Sequence, residues 1–135
     1  MGHALRVDDP LAQRRAERER LIGQARRFAE VLDKRLGARC VMLVGSLARG
    51  DFNVWSDIDL LVVAEGLPER LPERLALLHD GAPARVQVIG YTTGELFAAA
   101  HRRNRLVLDA AEHGIVLAGD RDPLDRITSR SNTPR

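Results

Sequence analysis

Two short apolar runs in the middle of the chain, residues 39–44 and 58–64, constrain its fold most. Each has the length and composition of a buried strand, and Gly45 and Gly66 follow them closely. Between them, residues 46–50 have the pattern of a short helical turn, and residues 51–56 that of a loop. The centre of the chain is therefore predicted to be a strand, a tight turn and a second strand.

The flanking sequence predicts helices and two further strands. Asp9 and Pro10 suit the start of a long helix with periodic apolar residues, and Gly37 suits its end. The remaining predicted elements are a helix over 68–80, a strand over 85–91, helices over 94–100 and 106–113, and an edge strand over 115–117. This alternation indicates an α/β (α+β) fold with a single mixed sheet flanked by helices.

The length and composition indicate one globular domain. The 135 residues are 44% hydrophobic and 30% charged, so we expect a single domain over 1–135, with disordered tails at 1–9 and 128–135. No apolar run approaches the roughly 20 residues of a membrane helix, and no secretion signal precedes Pro10. The only cysteine, Cys40, lies in an apolar run and is expected to be a buried strand residue. We therefore expect a cytoplasmic protein.

The charge pattern does not indicate a nucleic-acid-binding surface. The net charge is only +2, and the arginines of residues 14–27 alternate with acidic residues. A solvated helix face with internal charge pairs explains this pattern more simply than a basic binding face.

Asp57 and Asp59 are the first candidates for chemistry. Residues two apart on a strand project from the same face, so Ile58 and Leu60 would point into the core instead. Two adjacent carboxylates repel each other unless a cation lies between them, and such oxygen ligands suit Mg²⁺. The alternative is a solvent-exposed strand start, which an isolated Asp-x-Asp would favour.

Gly45 and Ser46 favour a ligand site over a solvent-exposed strand start. A glycine after a buried strand lets the backbone approach a ligand, and free N–H groups at a helix start attract phosphate. The alternative is a simple turn with Ser46 as a helix cap. Together with the two aspartates, the segment could supply donors to phosphate oxygens and ligands to the metal.

Residues 45–60 resemble the signature of the minimal nucleotidyltransferases, a family within the DNA polymerase β-like superfamily. The resemblance rests on Gly45-Ser46, ten residues, and Asp57-x-Asp59, with a turn at Gly50 between them. The predicted order of helices and strands agrees with this family over most of the chain, so a nucleotidyltransferase-like fold is expected.

The resemblance implies a domain that binds a nucleoside triphosphate, with ATP favoured, and transfers its nucleotidyl group, as AMP, to a hydroxyl. Gly45 and Ser46 would bind the triphosphate, and Asp57 and Asp59 would ligate Mg²⁺. Arg49 could contact a phosphate through its several donors, although a solvated arginine on the turn is an equal alternative. Small members of the family often act beside a HEPN-type helical partner in toxin–antitoxin pairs, which implies a possible protein partner.

One position departs from the family pattern. Catalytic members commonly carry a third carboxylate on the next strand, and the residue in register here is Gln87. A glutamine offers a carbonyl oxygen but no charge and no base. Either Glu95 or Asp80 takes that place, or a partner supplies the group, or the domain is a non-catalytic nucleotide-binding or partner-binding module.

Trp55 lies next to the predicted site in the sequence. As the only tryptophan it could stack on a base, but a packing role is the more common one.

Overall fold

The computed structural model describes residues 9–131, and the side chains of 9–127. The elements in chain order are α1 (Pro10–Leu36), β1 (Cys40–Val44), α2 (Gly45–Arg49), β2 (Ile58–Val63), α3 (Leu71–His79), β3 (Val86–Tyr91), α4 (Thr93–His101), α5 (Arg105–His113), β4 (Ile115–Gly119) and α6 (Asp122–Ser131). All the predicted strands are present, close to their predicted bounds.

The described strands form one four-stranded mixed sheet in the order β3-β2-β1-β4. β1 is antiparallel to both β2 and β4, whereas β2 and β3 are parallel. The predicted fold class, one mixed sheet flanked by helices, is confirmed.

Helices cover both faces of the sheet. On one face, the alternate β2 residues Ile58, Leu60 and Val62 join a core cluster with α1 and α3. On the other face, Leu61 and Val63 join a second cluster with α4, α5 and α6. Strand alternation therefore places Asp59 on the face covered by α4, α5 and α6.

Local signals set the ends of the long first helix. The Asp9 side chain accepts hydrogen bonds from the N–H groups of Leu11 and Ala12, and Pro10 occupies the first turn. Gly37 ends the helix in the left-handed conformation, at φ 61°. The sequence prediction for α1 is confirmed at both ends.

Two predicted boundaries differ in the structure. α3 starts at Leu71 rather than at residue 68, because Pro68 lies in the connection and its carbonyl accepts a hydrogen bond from Arg74. α6, which the sequence analysis did not predict, begins at Asp122 and extends through Ser131, into the segment expected to be a tail. Residues 1–8 and 132–135, which belong to the predicted tails, lie outside the described residues.

None of the helices in the described part of the chain combines the length and apolar character that a membrane crossing requires.

Candidate functional site

The predicted site residues lie at one end of the sheet, where β1 ends and β2 and β3 begin. Asp59 is the register partner of Val44 on β1 and of Gln87 on β3. Asp57 immediately precedes β2, and Gly45 immediately follows β1. The fold thus brings residues from three segments to the same edge.

The two predicted metal ligands differ in environment. Asp57 is exposed, whereas Asp59 is only partly accessible to solvent. Burial raises the pKa of the Asp59 carboxyl, the negative charge of Asp57 raises it further, and the Arg49 guanidinium partly opposes both effects. The charge of Asp57 therefore acts on Asp59, and a cation between the two carboxylates would relieve their repulsion.

Gly45 lies close to the Asp59 carboxylate. It has a φ of +77°, and a Cβ atom built on it would lie 2.5 Å from the Asp59 Oδ2 atom. A side chain here would require the Asp59 carboxylate to shift, and the positive φ independently favours glycine. The β1–α2 turn therefore lies beside the Asp59 carboxylate.

Ser46 lies inside α2 and is not its cap. The N-cap position belongs to Val44, which has an extended backbone and gives the helix no side-chain hydrogen bond. The interpretation of Ser46 as a simple helix cap is therefore wrong. The first N–H groups of such a turn have no partner within the helix and can donate to an anion.

Arg49 is held between two carboxylates. Its Nε lies 3.3 Å from Asp51 Oδ2, and its Nη1 lies 3.1 Å from Asp109 Oδ2. Both carboxylates raise the pKa of the Arg49 guanidinium. The pairs connect α2 to α5 and place the guanidinium close enough to affect Asp59.

Asp109 was not among the site residues predicted from the sequence. It lies 60 residues from Arg49 along the chain, on the predicted helix that became α5, and only the folding of α5 beside α2 brings them together. Nothing in the local sequence around Asp109 distinguishes it from an ordinary solvated helix residue.

Gln87 lies on β3 at the position that was matched from the sequence to the family's third carboxylate. Its direct register with Asp59 on the neighbouring parallel strand was predicted, and its side chain is exposed at the same edge. A cavity of about 150 Å³ opens here, lined by Asp59 and Gln87 and by the apolar Val44, Ile89 and Leu106. The site therefore has an amide, and not a third carboxylate, beside Asp59.

Neither alternative acid is brought to the site. Glu95 lies beyond the opposite end of β3 and accepts hydrogen bonds of 2.7 and 3.2 Å from the buried Arg74. Asp80 ends α3, which packs on the other face of the sheet. The suggestion that Glu95 or Asp80 replaces Gln87 is not supported by this geometry.

The described residues contain no group of three or more His, Cys, Asp and Glu side chains arranged to hold a metal. Two neighbouring carboxylates nevertheless fit a hard cation such as Mg²⁺, which commonly takes one or two protein carboxylates and completes its shell with water and substrate phosphates.

Other reactive residues have structural roles. Cys40 is buried, as predicted, and burial raises the pKa of its thiol to about 12, which keeps it protonated. The His79 ring contacts the carbonyl of Leu75 and accepts a hydrogen bond of 3.0 Å from the Val88 N–H on the outer edge of β3. Neither residue lies among the candidate ligands.

Comparisons with known proteins identify the family of the chain. A family model described as "Nucleotidyltransferase domain" matches residues 25–108, more than half of the chain and all of the candidate site through Gln87. No protein with curated annotation matches the chain.

Two solved structures share the fold. A protein from Sulfolobus solfataricus, provisionally named a nucleotidyltransferase, aligns with a TM-score of 0.59 and 23% identity over 76% of this chain and 84% of its own. A toxin–antitoxin structure with AMP-PNP aligns with a TM-score of 0.54 and 18% identity over 78% of this chain and 82% of its own. At this level of identity the structures support the fold, while the family model defines the membership. The chain belongs to the nucleotidyltransferase domain family.

Proposed function

We propose that this protein is an Mg²⁺-dependent nucleotidyltransferase that transfers AMP from ATP to a hydroxyl acceptor. The observation that carries the proposal is the contact between the Gly45 turn and the Asp59 carboxylate, with Asp57 adjacent, in a chain of the nucleotidyltransferase family. The contact supports the proposal, since the turn would supply phosphate donors beside the candidate metal ligands.

Each predicted residue then has a role. Asp57 and Asp59 would hold Mg²⁺, which, when bound, neutralises phosphate charge and stabilises the transition state. The N–H groups of Gly45 and Ser46, with the Ser46 hydroxyl, would bind the triphosphate. Arg49 would donate from the nitrogen that is not held by Asp51 or Asp109.

The reaction forms a bond between the acceptor oxygen and the α-phosphorus. The bond between the α-phosphorus and its bridging oxygen breaks, and pyrophosphate leaves with that electron pair. The hydroxyl proton must pass to a base, and the Gln87 amide cannot accept it at neutral pH. The acceptor, or the protein that carries it, is therefore expected to supply the base or to rely on water.

A protein acceptor fits this requirement. One structural neighbour is a toxin–antitoxin structure with AMP-PNP, an ATP analogue. By analogy, the partner would be a helical protein of the HEPN type, and its side chain would receive AMP. The chain would then act as the antitoxin of such a pair.

Gln87 favours a second candidate, a nucleotide-binding module without turnover. In this case the metal and ATP bind as described, but no nucleotidyl group leaves. Loss of the base could cost several powers of ten in rate, which is enough to abolish a useful activity.

A labelled transfer assay separates the two functions. ATP labelled at the α-phosphate is incubated with Mg²⁺, the chain and a helical partner protein, and label on protein is measured for the parent and for Gln87→Glu. Label transferred by the parent supports the transferase, and gain of transfer only in Gln87→Glu supports the binding module. Absence of label in both, with ATP bound, would contradict the transferase assignment.

A further inference from the structure

Trp55 is the most exposed large hydrophobic residue among those the structure describes. Its side chain is 87% accessible, and that of its neighbour Val54 is 61% accessible. Both lie at the tip of the loop between α2 and β2. The packing role that would be usual for the only tryptophan of a small domain is therefore excluded.

Local hydrogen bonds give the loop tip a defined conformation. The Asn53 Oδ1 atom accepts a hydrogen bond of 2.8 Å from the Trp55 N–H, and the Ser56 Oγ atom accepts one of 2.9 Å from the Asn53 N–H. These reciprocal bonds close a compact turn. The Trp55 backbone is thus fixed while its ring is left in solvent.

Two arginines from outside the loop hold its flanks. Arg14 of α1 donates to the carbonyls of Gly50 and Phe52, at 2.9 and 2.7 Å, and lies over the Phe52 ring at 4.3 Å. Arg85, which precedes β3, donates to the Ser56 carbonyl. A loop tied to two elements presents its tip in a preformed position, which lowers the entropy cost of binding a ligand there.

The tip also lies close to the candidate metal site. Trp55 is two residues before Asp57, so their Cα atoms are at most about 7 Å apart. The indole side chain extends several ångströms from its Cα atom. Together with this Cα–Cα separation, it covers the distance between the α-phosphate and the base of a nucleotide. The separation of Trp55 and Asp57 is therefore compatible with contact between the indole ring and a base whose phosphates lie against Asp57 and Gly45.

From this geometry, and resting on the proposed function, we infer that Trp55 is a base-stacking residue for the bound nucleoside triphosphate. The indole covers one face of the base, and the other face stays open to solvent. Stacking of this kind accepts any base, because every base has a π-face, and it favours purines through their larger ring area.

Fluorescence tests this inference directly, because Trp55 is the only tryptophan of the chain. ATP with Mg²⁺ is expected to quench the emission in a saturable way, with a midpoint that matches the dissociation constant from calorimetry. Inorganic tripolyphosphate with Mg²⁺ is expected to bind without that quenching. ATP that binds by calorimetry but leaves the emission unchanged would overturn the stacking role and leave the proposed function intact.

A series of Trp55 variants distinguishes the contribution of the aromatic ring to ATP binding from that of apolar bulk. Trp55→Leu is expected to weaken ATP binding by about 5- to 30-fold and to leave tripolyphosphate binding unchanged, since only the stacking is lost. Trp55→Phe keeps a ring and should recover most of the ATP affinity. Leu71→Ala, which removes an exposed apolar side chain of α3, is the matched control and should change neither affinity.

Base selectivity gives an independent readout. The parent should bind ATP and GTP more tightly than CTP and UTP, and Trp55→Leu should reduce that difference. Equal ATP affinity in the parent and Trp55→Leu, or an equal loss for ATP and tripolyphosphate, would overturn the stacking role. Failure of the parent to bind any of these ligands with Mg²⁺ would instead contradict the proposed function, and this inference would fall with it.

Discussion

Gly45 and Asp59 are in contact across two chain segments, such that a Cβ atom on Gly45 would lie 2.5 Å from the Asp59 Oδ2 atom. The glycine is held at φ +77°, a conformation that side chains rarely adopt. The contact joins the end of β1 to the start of β2. It sets how closely the β1–α2 turn approaches the Asp59 carboxylate.

Gly45→Ala is expected to abolish Mg²⁺-dependent ATP binding, because the new methyl group must push the Asp59 carboxylate aside. Strain at positive φ should also lower the free energy of unfolding by about 1–2 kcal/mol. Calorimetry of ATP binding and chemical denaturation measure the two effects. Gly37→Ala is the control, since Gly37 also has positive φ, at +61°, but nothing lies within 4 Å of its added Cβ. It should lose stability and keep binding, and similar binding losses in both variants would contradict a specific role for Gly45.

Asp59→Asn is expected to raise the Tm of the metal-free protein at pH 7. Burial and the charge of Asp57 raise the pKa of Asp59, so the folded state holds this proton more tightly than the unfolded state. The stability that Asp59 contributes is therefore present at low pH and is lost as pH rises from the ordinary value of 3.8 through the raised pKa.

Thermal unfolding at several pH values measures this effect. The difference between Asp59→Asn and the parent should shrink as pH falls toward 3.8. Mg²⁺ with ATP should raise the Tm of the parent only. Glu69→Gln, at an exposed position after β2, controls for loss of one negative charge. A parent that is more stable than Asp59→Asn at pH 7 without metal would contradict the unfavourable burial and the repulsion from Asp57 that are assigned to this carboxylate.

Arg49→Ala is expected to weaken ATP binding about tenfold, the usual contribution of a hydrogen bond to a charged group. Arg49→Lys should recover part of the loss, because it keeps the charge without the planar donors. Arg26→Ala, at an exposed position on α1, is the control. If Arg49→Ala lowers the Tm and leaves ATP affinity unchanged, Arg49 serves only to connect α2 to Asp109 on α5.

Arg74→Met is expected to destabilise the fold by about 2–4 kcal/mol without changing ATP affinity. Arg74 is 9% exposed and donates to the carbonyls of Pro68 and Gly90 as well as to Glu95. Its loss would remove these hydrogen bonds at the end of the sheet remote from Asp59. Urea denaturation and ATP titration measure the two quantities.

The pH dependence of the stability that Glu95 contributes provides a second test of the same region. The hydrogen bond from Arg74 and those from Thr92 lower the pKa of Glu95, so its stabilising effect is present at neutral pH and is lost as pH falls through the lowered pKa. Glu95→Gln should therefore be less stable than the parent at pH 7, with a smaller difference in acid. Loss of ATP binding in Glu95→Gln would contradict its assignment as a structural residue.

The sequence was sufficient to predict the sheet and the acidic pair because both depend on local patterns. The alternation of residues 58–64 predicted that Asp59 and Leu60 point to opposite faces of the sheet, and the glycine after residue 44 predicted the turn. The register of Gln87 with Asp59 was also predictable, since both lie near the starts of their strands.

The missed features depend on tertiary contacts. Asp109 pairs with Arg49 only because α5 packs beside α2, and no spacing rule connects residues 60 positions apart. The exposure of Trp55 depends on a turn closed by Asn53 and Ser56, whose side-chain bonds the sequence does not specify uniquely. The helix α6 was missed because Asp122 and Pro123 resemble a continuing turn as much as a helix start.

The most direct test of the metal and nucleotide site is calorimetric titration of ATP into the parent and into the Asp57→Asn, Asp59→Asn double variant. The parent should bind ATP with Mg²⁺ and lose that binding when EDTA removes the metal. The double variant should fold, show no Mg²⁺-dependent binding, and give the same weak signal with and without EDTA. A double variant that binds ATP as tightly as the parent, with the same dependence on Mg²⁺, would contradict the assignment of this acidic pair as the metal site.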